Sequence, residues 1–302
     1  MAKVLVHCPL NISRTMGEML KGFIRQLNKK YGMDVRVEIQ PHRPTEEHLF
    51  EKYVKEGNIP DLTIGHANDF AELSDDIMKE YFQPFSDLFP LRKELLDLKF
   101  TDPAGYFHTF ALVPYAIIYN HKILKKEEAP CIWENLLEPQ WEGRILLPDE
   151  FRTVSVIINS YMKTRFPQRY DDYRANTVFE GNPVDVVSAV DQGQYPVGIV
   201  NISFSRFSRE KNVSSKWPDD GTFCVPQIMV WKKGIDERLL ELGEYIMSEE
   251  MQKFFAQQSF IPAAPEILLP QEAENNECRL IWEGWGHFLK IISGDILTET
   301  GD

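Results

Sequence analysis

The sequence predicts an α/β protein in which mostly parallel sheets are flanked by helices. Two observations support this fold class. Short apolar runs, such as KVLVH at residues 3–7, are typical of strands that are buried on both faces of a parallel sheet. Between these runs, apolar residues recur every three or four positions, as they do on the buried face of a helix. Because this alternation occurs in the first 65 residues and again after residue 115, we expect two such regions.

The first region begins with the strand at residues 3–7, and a helix follows it. Thr15 and Glu18 have the spacing of a capping box at the start of this helix, and Gly32 fits its end. Its apolar positions are Met16, Met19, Leu20, Phe23, Ile24 and Leu27. Strands at 34–39 and 60–65 enclose a second helix at 45–56. This strand–helix–strand–helix–strand order predicts a parallel sheet.

The second region and the end of the chain continue the same pattern. Extended segments are expected at 115–120, 143–149, 195–200 and 221–234. Helices are expected at 151–166, 182–194, 237–247, 248–257 and 282–292. The final residues, TETGD, are predicted to be a frayed end.

Composition excludes several classes of function. The net charge is −13 and no lysine or arginine cluster forms a stripe, so a nucleic-acid partner is not expected. No apolar run approaches 18 residues, and we therefore expect no membrane span. The start of the chain does not read as a secretory signal. This predicts a cytoplasmic protein if Met1 is the native start, and an extracytoplasmic one if a signal has been removed.

The cysteines show no metal-binding spacing and are expected to be free thiols. They are Cys8, Cys131, Cys224 and Cys278. In parallel sheets, ligands bind beyond the carboxyl ends of the strands. The loops after the first and third strands are therefore the first candidate site. They hold His7, Cys8, Asn11, Ser13, Arg14, Thr15, His66, Asn68 and Asp69.

The order of several segments resembles the landmarks of type II periplasmic solute-binding proteins of ABC importers, in particular those that bind ferric iron or small anions. The segments include IPDLTIGHAND, FALVPYAIIYNHKIL, IWENLLEPQWEGRILLPDE, GQYPVGIVN and MSEEMQKFFAQQSFIPAAP. The resemblance covers roughly residues 3–290. Its most specific part is the W-x-x-L-x-x-P-x-W-x-G stretch followed by Pro-Asp.

The resemblance implies a monomeric receptor with two lobes and a ligand cleft between them. Lobe 1 would comprise residues 1–113 and 225–302, lobe 2 residues 114–224, and the hinges would lie near 112–115 and 224–227. The lobes would close on a small ligand, which would be an anion, a metal ion or a metal complex. An ABC permease would then recognise the closed form. The connector at 130–150 would be anchored in lobe 2 by Trp133, Leu136, Leu137 and Trp141.

Three short segments, which we call stations, carry side chains that could bind a ligand. Each segment also has a purely structural interpretation. The first is the loop Cys8–Thr15, where Cys8, Asn11, Ser13 and Thr15 would place an anion at a helix N-terminus; Ser13 and Thr15 would otherwise cap the helix. The second comprises Arg152, Thr153 and Ser155 at another helix start, where Thr153 could instead be the N-cap. The third is Asn201 with Ser203, which could also form an ordinary turn.

His66 is either a ligand residue or a hydrogen-bonded structural histidine. With His7 and Cys8 it could hold a soft or borderline metal ion, although strand alternation would point His7 and Cys8 in opposite directions. Ferric-binding relatives commonly use an adjacent tyrosine pair, but Ser203 and Phe204 stand at that position in this chain. This departure favours an oxyanion or a carboxylate-bearing ligand over iron.

Two other functions stay open at this point. The same fold could serve as a cytoplasmic sensor or carrier, as the missing signal and the cysteines suggest. An enzyme would need a nucleophile with its base, and only Cys8 with His66 suggests such a pair. The sequence contains no G-x-S-x-G, HExxH or P-loop motif, so we expect a protein that is not an enzyme.

Overall fold

The computed structural model describes residues 1–40, 49–85 and 88–294 of the chain. The chain divides into two compact units. Unit 1 contains Met1–Leu112, Val225–Leu269 and Gly284–Leu289; unit 2 contains Val113–Cys224, Pro270–Glu283 and the segment that starts at Lys290. The main chain passes from unit 1 to unit 2 after Leu112, within the strand His108–Asn120. It returns to unit 1 after Cys224, within the strand Cys224–Trp231.

Strands and α-helices alternate along much of the described chain. The strands are β1 (Ala2–His7), β2 (Val35–Ile39), β3 (Leu62–His66), β4 (His108–Asn120), β5 (Ile145–Leu147), β6 (Thr177–Phe179), β7 (Val197–Asn201), β8 (Val213–Lys216), β9 (Cys224–Trp231) and β10 (Ile261–Pro262). The α-helices are α1 (Leu10–Tyr31), α2 (Leu49–Lys55), α3 (Asp75–Tyr81), α4 (Lys93–Asp97), α5 (Thr153–Arg165), α6 (Tyr170–Asn176), α7 (Pro183–Asp191), α8 (Leu240–Ile246), α9 (Glu249–Gln257), α10 (Gln271–Asn275) and α11 (Trp285–Ser293).

The sheet of unit 1 is built on β1, which pairs in parallel with β2 on one side and β3 on the other. Val4 of β1 lies opposite Val37 of β2 and Leu62 of β3. The central residues of β1 are fully buried, as the apolar run predicted. On its far side β3 pairs with β9 in the antiparallel direction. The expected parallel arrangement of the first three strands is therefore confirmed.

Helix α1 begins six residues earlier than predicted. It starts at Leu10 directly after Pro9, whose φ of −51° and ψ of 142° lead into the helix, and no side chain caps it. The capping box at Thr15 and Glu18 is therefore wrong, because Thr15 is an exposed residue inside the helix. The predicted end is confirmed: Gly32 adopts φ 65°, and its N–H donates to the carbonyl of Asn28.

The sheet of unit 2 contains the short parallel strand β5 between β6 and β7. Ile145 of β5 lies opposite Thr177 of β6 and Val197 of β7, and both pairings are parallel. Strand β4 runs antiparallel to β7, with Tyr115 opposite Asn201. Helix α7 covers one face of this sheet with buried valines. These are Val186, Val187 and Val190.

The connector at 130–150 is a packed irregular segment that leads into β5. It forms two short 3₁₀ turns, Trp133–Leu137 and Pro139–Trp141. All four predicted anchors are at most 2% exposed. The indole Nε1 of Trp133 also donates to the carbonyl of Gly221 at 2.8 Å, which satisfies the polar end of this buried ring. The predicted anchoring role of these side chains is confirmed.

One segment near the C-terminus packs on a different unit from the one expected. The family resemblance implied that residues 225–302 belong to the first lobe, yet Pro270–Glu283 belongs to unit 2. Hydrogen bonds within unit 2 hold this segment. The N–H of Thr222 donates to the carbonyl of Arg279 at 3.0 Å, and the indole of Trp217 donates to the same carbonyl at 3.2 Å.

Two predictions fall partly or wholly on residues that the structure does not describe. Helix α2 covers Leu49–Lys55, while residues 45–48 of the predicted helix lie outside the described residues. The expected frayed end at 298–302 also lies outside them. Among the helices that are described, none combines the length and the apolar character needed to cross a membrane.

Candidate functional site

Three segments of unit 2 follow its parallel strands, and we call them together the unit 2 edge. They are residues 148–153 after β5, residues 180–182 after β6 and residues 201–203, which begin at the last residue of β7. Because β5 pairs in parallel with both β6 and β7, the carboxyl ends of these strands lie at one edge of the sheet. The tertiary structure thus brings the second and third predicted stations to the same edge.

Arg152 is the cation of the unit 2 edge. It precedes the first residue of α5 and has the extended backbone of an N-cap, with φ −73° and ψ 140°. Its side chain is 19% exposed, and among the described residues no hydrogen-bond acceptor reaches its buried Nε. An unpaired buried donor on a cation is costly unless a ligand or water satisfies it. This position, at the start of a thirteen-residue helix, is suited to an anionic group.

The neighbours of Arg152 leave its charge weakly paired. Oδ2 of Asp149 lies 3.8 Å from Nε, which is an ion-pair distance and not a hydrogen bond. The other carboxylate oxygen of Asp149 accepts the N–H of Gly181 at 2.8 Å and joins the loops after β5 and β6. Phe151 is 65% exposed, and the guanidinium carbon of Arg152 lies 5.4 Å from the centre of its ring. The edge therefore offers a cation beside an exposed aromatic ring.

The remaining predicted residues of the second station have different roles. Thr153 is the first residue of α5 and is half-buried, so it does not occupy the N-cap position. Ser155 is fully buried, and its hydroxyl donates to the carbonyl of Pro148 at 2.6 Å. That hydrogen bond ties α5 to the loop after β5. Ser155 consequently supports the loop, and its donor is not directed to a ligand.

Asn201 and Ser203 form a turn at the end of β7. The Oδ1 atom of Asn201 accepts both the backbone N–H and the hydroxyl of Ser203, each at 3.0 Å. Both residues are buried, and Asn201 caps the short 3₁₀ helix Ile202–Phe207. The turn interpretation of this station thus describes the observed contacts, and the turn gives the unit 2 edge a fixed shape after β7.

Two tyrosines of unit 2, Tyr115 and Tyr173, are poorly suited to act as phenolate ligands. Tyr115 and Tyr173 are buried, and burial raises the pKa of both phenols. Phe204 and Phe207 occupy the 3₁₀ helix after β7, with ring centres 5.7 Å apart. Aromatic rings without oxygen thus stand near the position where a tyrosine pair would be sought.

The corresponding edge of unit 1 contains two histidines with specific partners. His7 is 2% exposed, and its Nδ1 lies 2.8 Å from Oδ2 of Asp69. Gly65 of β3 lies directly against this pair: a Cβ atom there would lie 2.8 Å from the carbonyl oxygen of His7 and 3.3 Å from Oδ2 of Asp69. Only glycine allows β1, β3 and the following turn to approach this closely.

His66 ends β3 and is partly exposed. In the antiparallel pairing of β3 with β9 it lies opposite Gln227, and the amide Nε2 of Gln227 is 2.9 Å from Nδ1 of His66. Gln227 is fully buried. The sequence pointed to residue 227 only as part of a hinge, because the pairing joins residues 161 positions apart.

Cys8 does not face the same space as the two histidines. It is fully buried, and its Sγ lies 3.5 Å from the carbonyl of Ile64 and 3.9 Å from the sulfur of Met16. Burial raises the pKa of the thiol, so the thiolate is strongly disfavoured. Neither the nucleophile expected of an enzyme nor a thiolate ligand is available at this position.

The predicted metal site does not assemble. His7 pairs with Asp69, His66 pairs with Gln227, and the thiol of Cys8 is turned into the core. Within residues 1–40, 49–85 and 88–294, no group of three histidine, cysteine or acidic side chains is placed to hold a metal ion. Strand alternation is the physical reason, since it separates His7 from Cys8.

The first predicted station is also rearranged, because α1 starts at Leu10. The loop before the helix consists of Cys8 and Pro9 alone. Asn11 is half-buried in the first turn, Ser13 is buried, and Thr15 is exposed one turn further along. These three side chains are thus distributed around the helix and do not line a single loop.

Comparison with known proteins shows the family and the fold. Residues 57–289 match the bacterial extracellular solute-binding proteins. No curated protein matches the chain. The fold is shared with a ferric binding protein from Campylobacter jejuni, which is 14% identical with a TM-score of 0.73; the match covers 98% of each chain.

Two further structures show the same likeness. The FutA (IdiA) protein of Trichodesmium, solved with iron and citrate, is 16% identical with a TM-score of 0.72, and the match covers 99% of this chain and 96% of that one. The apo ferric ion-binding protein A of Pasteurella haemolytica is 14% identical with a TM-score of 0.71, and both chains are covered completely. The predicted type II periplasmic-binding-protein class of α/β fold is thereby confirmed.

Proposed function

Because this chain belongs to the bacterial extracellular solute-binding proteins, we propose that it is a non-catalytic receptor for a small oxyanion or carboxylate-bearing solute, which it delivers to an ABC permease. The observation that supports the ligand class is the guanidinium of Arg152. Its Nε is buried without an acceptor among the described residues, at the start of a long helix. A carboxylate or oxyanion would supply the missing acceptor and complement the helix dipole.

Iron is the main alternative to an anion as the ligand, because several solved structures with the same fold are iron-binding proteins. The similar structures from Campylobacter jejuni and Pasteurella haemolytica are ferric-binding proteins, and the Trichodesmium structure contains iron together with citrate. In this chain Tyr115 and Tyr173 are buried, and the described residues contain no cluster of three metal-ligating histidine, cysteine or acidic side chains. These features favour an anion, or a metal carried within an anionic complex, over a bare metal ion.

The proposal includes closure of the two lobes around hinges near residues 112–115 and 224–227. A ligand closes such a receptor only by making contacts that exist in the closed form alone. Small-angle X-ray scattering measures this as a decrease in the radius of gyration on saturation with ligand. An unchanged radius at saturation would remove closure from the proposal.

The ligand class is tested first by native mass spectrometry and then by calorimetry. Native spectra of the purified protein, compared with denatured spectra, give the mass of any retained ligand. Titration with phosphate, sulfate, citrate, ferric citrate and Fe³⁺ then separates anions from bare metal. We expect an anion to bind and Arg152→Ala to weaken it by at least about tenfold, which corresponds to about 1.4 kcal/mol.

Arg169→Ala is the matched control for Arg152→Ala. Arg169 lies in the same unit, but its guanidinium already donates to Asp172 at 3.1 Å and to the carbonyl of Leu137 at 2.8 Å. Its removal should leave anion affinity unchanged. Equal losses in both variants, or tight binding of Fe³⁺ without any anion, would contradict the proposed ligand class.

A further inference from the structure

The side-chain amide of Gln227 uses only part of its hydrogen-bonding capacity, unlike the amide of a glutamine with a purely structural role. Its side chain is fully buried, its Nε2 lies 2.9 Å from Nδ1 of His66, and its Oε1 has no hydrogen-bond partner among the described residues. Gln252, also fully buried in unit 1, has both its amide nitrogen and its amide oxygen engaged. Its Nε2 donates to the carbonyls of Phe110 and Ile246, and its Oε1 accepts the N–H of Ala264.

The unused acceptor of Gln227 has a free-energy cost. An unsatisfied buried carbonyl destabilises a protein by about 1–3 kcal/mol, and each such group in a native structure calls for a physical explanation. The hydrogen bond that the amide makes is directed at a histidine at the carboxyl end of β3, where ligands of α/β sheets bind. This pairs a buried, incompletely satisfied amide with a partly exposed imidazole.

The amide nitrogen of Gln227 can only donate. Nδ1 of His66 must therefore accept, and in a neutral imidazole the ring proton then resides on Nε2. His7, on the neighbouring strand, has the opposite arrangement. Its Nδ1 lies 2.8 Å from a carboxylate oxygen of Asp69, which can only accept from a ring N–H. The contacts of the two histidines of this edge therefore favour opposite tautomers.

We propose that Gln227 is a positioning residue that holds His66 as the Nε2–H tautomer, so that unit 1 presents a neutral N–H donor to an oxyanion. A histidine that coordinates a metal through Nε2 usually donates its Nδ1–H to a carboxylate or carbonyl, which is the reverse arrangement. The tautomer of His66 thus selects an acceptor ligand against a metal ion. This inference rests on the proposed function. It adds His66 to Arg152 as a second residue that favours an anion over a metal ion.

The tautomer is measured directly on the ligand-free protein by nuclear magnetic resonance. Long-range ¹H–¹⁵N correlation spectra of ¹⁵N-histidine-labelled protein at pH 8 distinguish a protonated from an unprotonated ring nitrogen. The signals of His66 are those that disappear in His66→Gln. We expect Nε2 of His66 to be protonated and Nδ1 to be unprotonated, while His7 shows a protonated Nδ1. A protonated Nδ1 on neutral His66 in the wild-type protein would overturn the proposal.

Three variants separate positioning from stability. Gln227→Met removes the donor and should give His66 a mixture of tautomers. Gln227→Glu replaces the donor with an acceptor and should move the proton of His66 to Nδ1. Gln252→Met, the control, should lower the melting temperature and leave the tautomer of His66 unchanged. A tautomer that stays the same in both Gln227 variants would overturn the proposal, even if those variants are less stable.

The functional consequence is measured in the same variants. We expect Gln227→Glu to bind the anion at least about fivefold more weakly at pH 8 and to bind added Zn²⁺ more tightly than the wild-type protein does, because Nε2 of His66 then carries a lone pair in place of a proton. Unchanged affinity for both would contradict the proposed role in selecting the ligand. Failure of the proposed function can be distinguished from failure of this inference about His66. It would appear as anion binding that is insensitive to Arg152→Ala.

Discussion

Nε of Arg152 lies 3.8 Å from Oδ2 of Asp149, so the two side chains form an ion pair without a hydrogen bond. Oδ1 of Asp149 is occupied by the N–H of Gly181. The carboxylate thus holds the loop through one oxygen, while its charge competes with an incoming anion for the guanidinium. Asp149→Asn keeps an oxygen acceptor for Gly181 and removes the competing charge.

We expect Asp149→Asn to strengthen anion binding by up to about fivefold, or about 1 kcal/mol, since both side chains are partly exposed. Isothermal titration with the anion that binds the wild-type protein measures this change. Asp172→Asn, which removes one of the ionic partners of Arg169, is the control and should have no effect. Weaker binding by Asp149→Asn would show that the carboxylate orients Arg152 and does not compete with the ligand.

Gly65→Ala should destabilise unit 1 by about 2 kcal/mol, as overpacking against backbone does. The added Cβ would lie 2.8 Å from the carbonyl oxygen of His7, which belongs to a buried strand and cannot move away easily. Urea denaturation of both proteins gives the difference in free energy of unfolding. Gly286→Ala in α11 is the control. No neighbouring group among the described residues lies within 4 Å of the Cβ position there, so this change should be neutral or slightly stabilising.

His108 should make the stability of the protein depend on pH between about 6.5 and 4. Burial lowers the pKa of His108 to about 4 from its usual 6.5, so the folded protein keeps this ring neutral, beside Phe85 and Phe89. The unfolded chain binds the proton first as the pH falls. Stability is thus fully present above pH 6.5 and is lost as the pH falls toward 4, by up to about 3 kcal/mol.

The measurement is the free energy of unfolding at several pH values for the wild-type protein and His108→Phe. The phenylalanine variant should lose less stability between about pH 6.5 and pH 4.5, because it has no proton to bind. His121→Phe is the control, since His121 is exposed and its ring lies 3.1 Å from the hydroxyl of Ser214 at the surface. Parallel curves for the wild-type protein and His108→Phe would contradict the prediction.

Asp191 should be essential for the loop at residues 208–212. Its buried carboxylate accepts the hydroxyl of Ser208 at 2.6 Å, the N–H of Glu210 at 2.8 Å and the N–H of Asn212 at 3.0 Å. We expect Asp191→Asn to destabilise the protein by about 2–3 kcal/mol. The substitution replaces one accepting oxygen with an NH₂ group, which would face the N–H and O–H donors of the loop. Ser208→Ala removes a single bond and should cost about 1 kcal/mol. Thermal unfolding compares the two variants, and equal losses would show that the loop is held elsewhere.

Local pattern was sufficient for much of the fold. Apolar runs located the parallel strands of unit 1, Gly32 located the end of α1, and the tryptophans of the connector were correctly predicted to be buried. These features depend on burial and backbone geometry, which neighbouring residues largely decide. The start of α1 was missed because Thr15 and Glu18 match a cap, while the buried side chains of Ile12 and Met16 extend the helix toward Pro9.

The order of residues along the chain was enough to show which side chains follow the carboxyl ends of the strands, and it placed Arg152 and His66 among the candidates. The contacts of each side chain depend instead on how the chain packs. Strand alternation turned Cys8 into the core, and the antiparallel register of β3 with β9 brought Gln227 to His66 from 161 residues away. Register between distant strands depends on the packing of the whole sheet, and no local pattern in the chain specifies it.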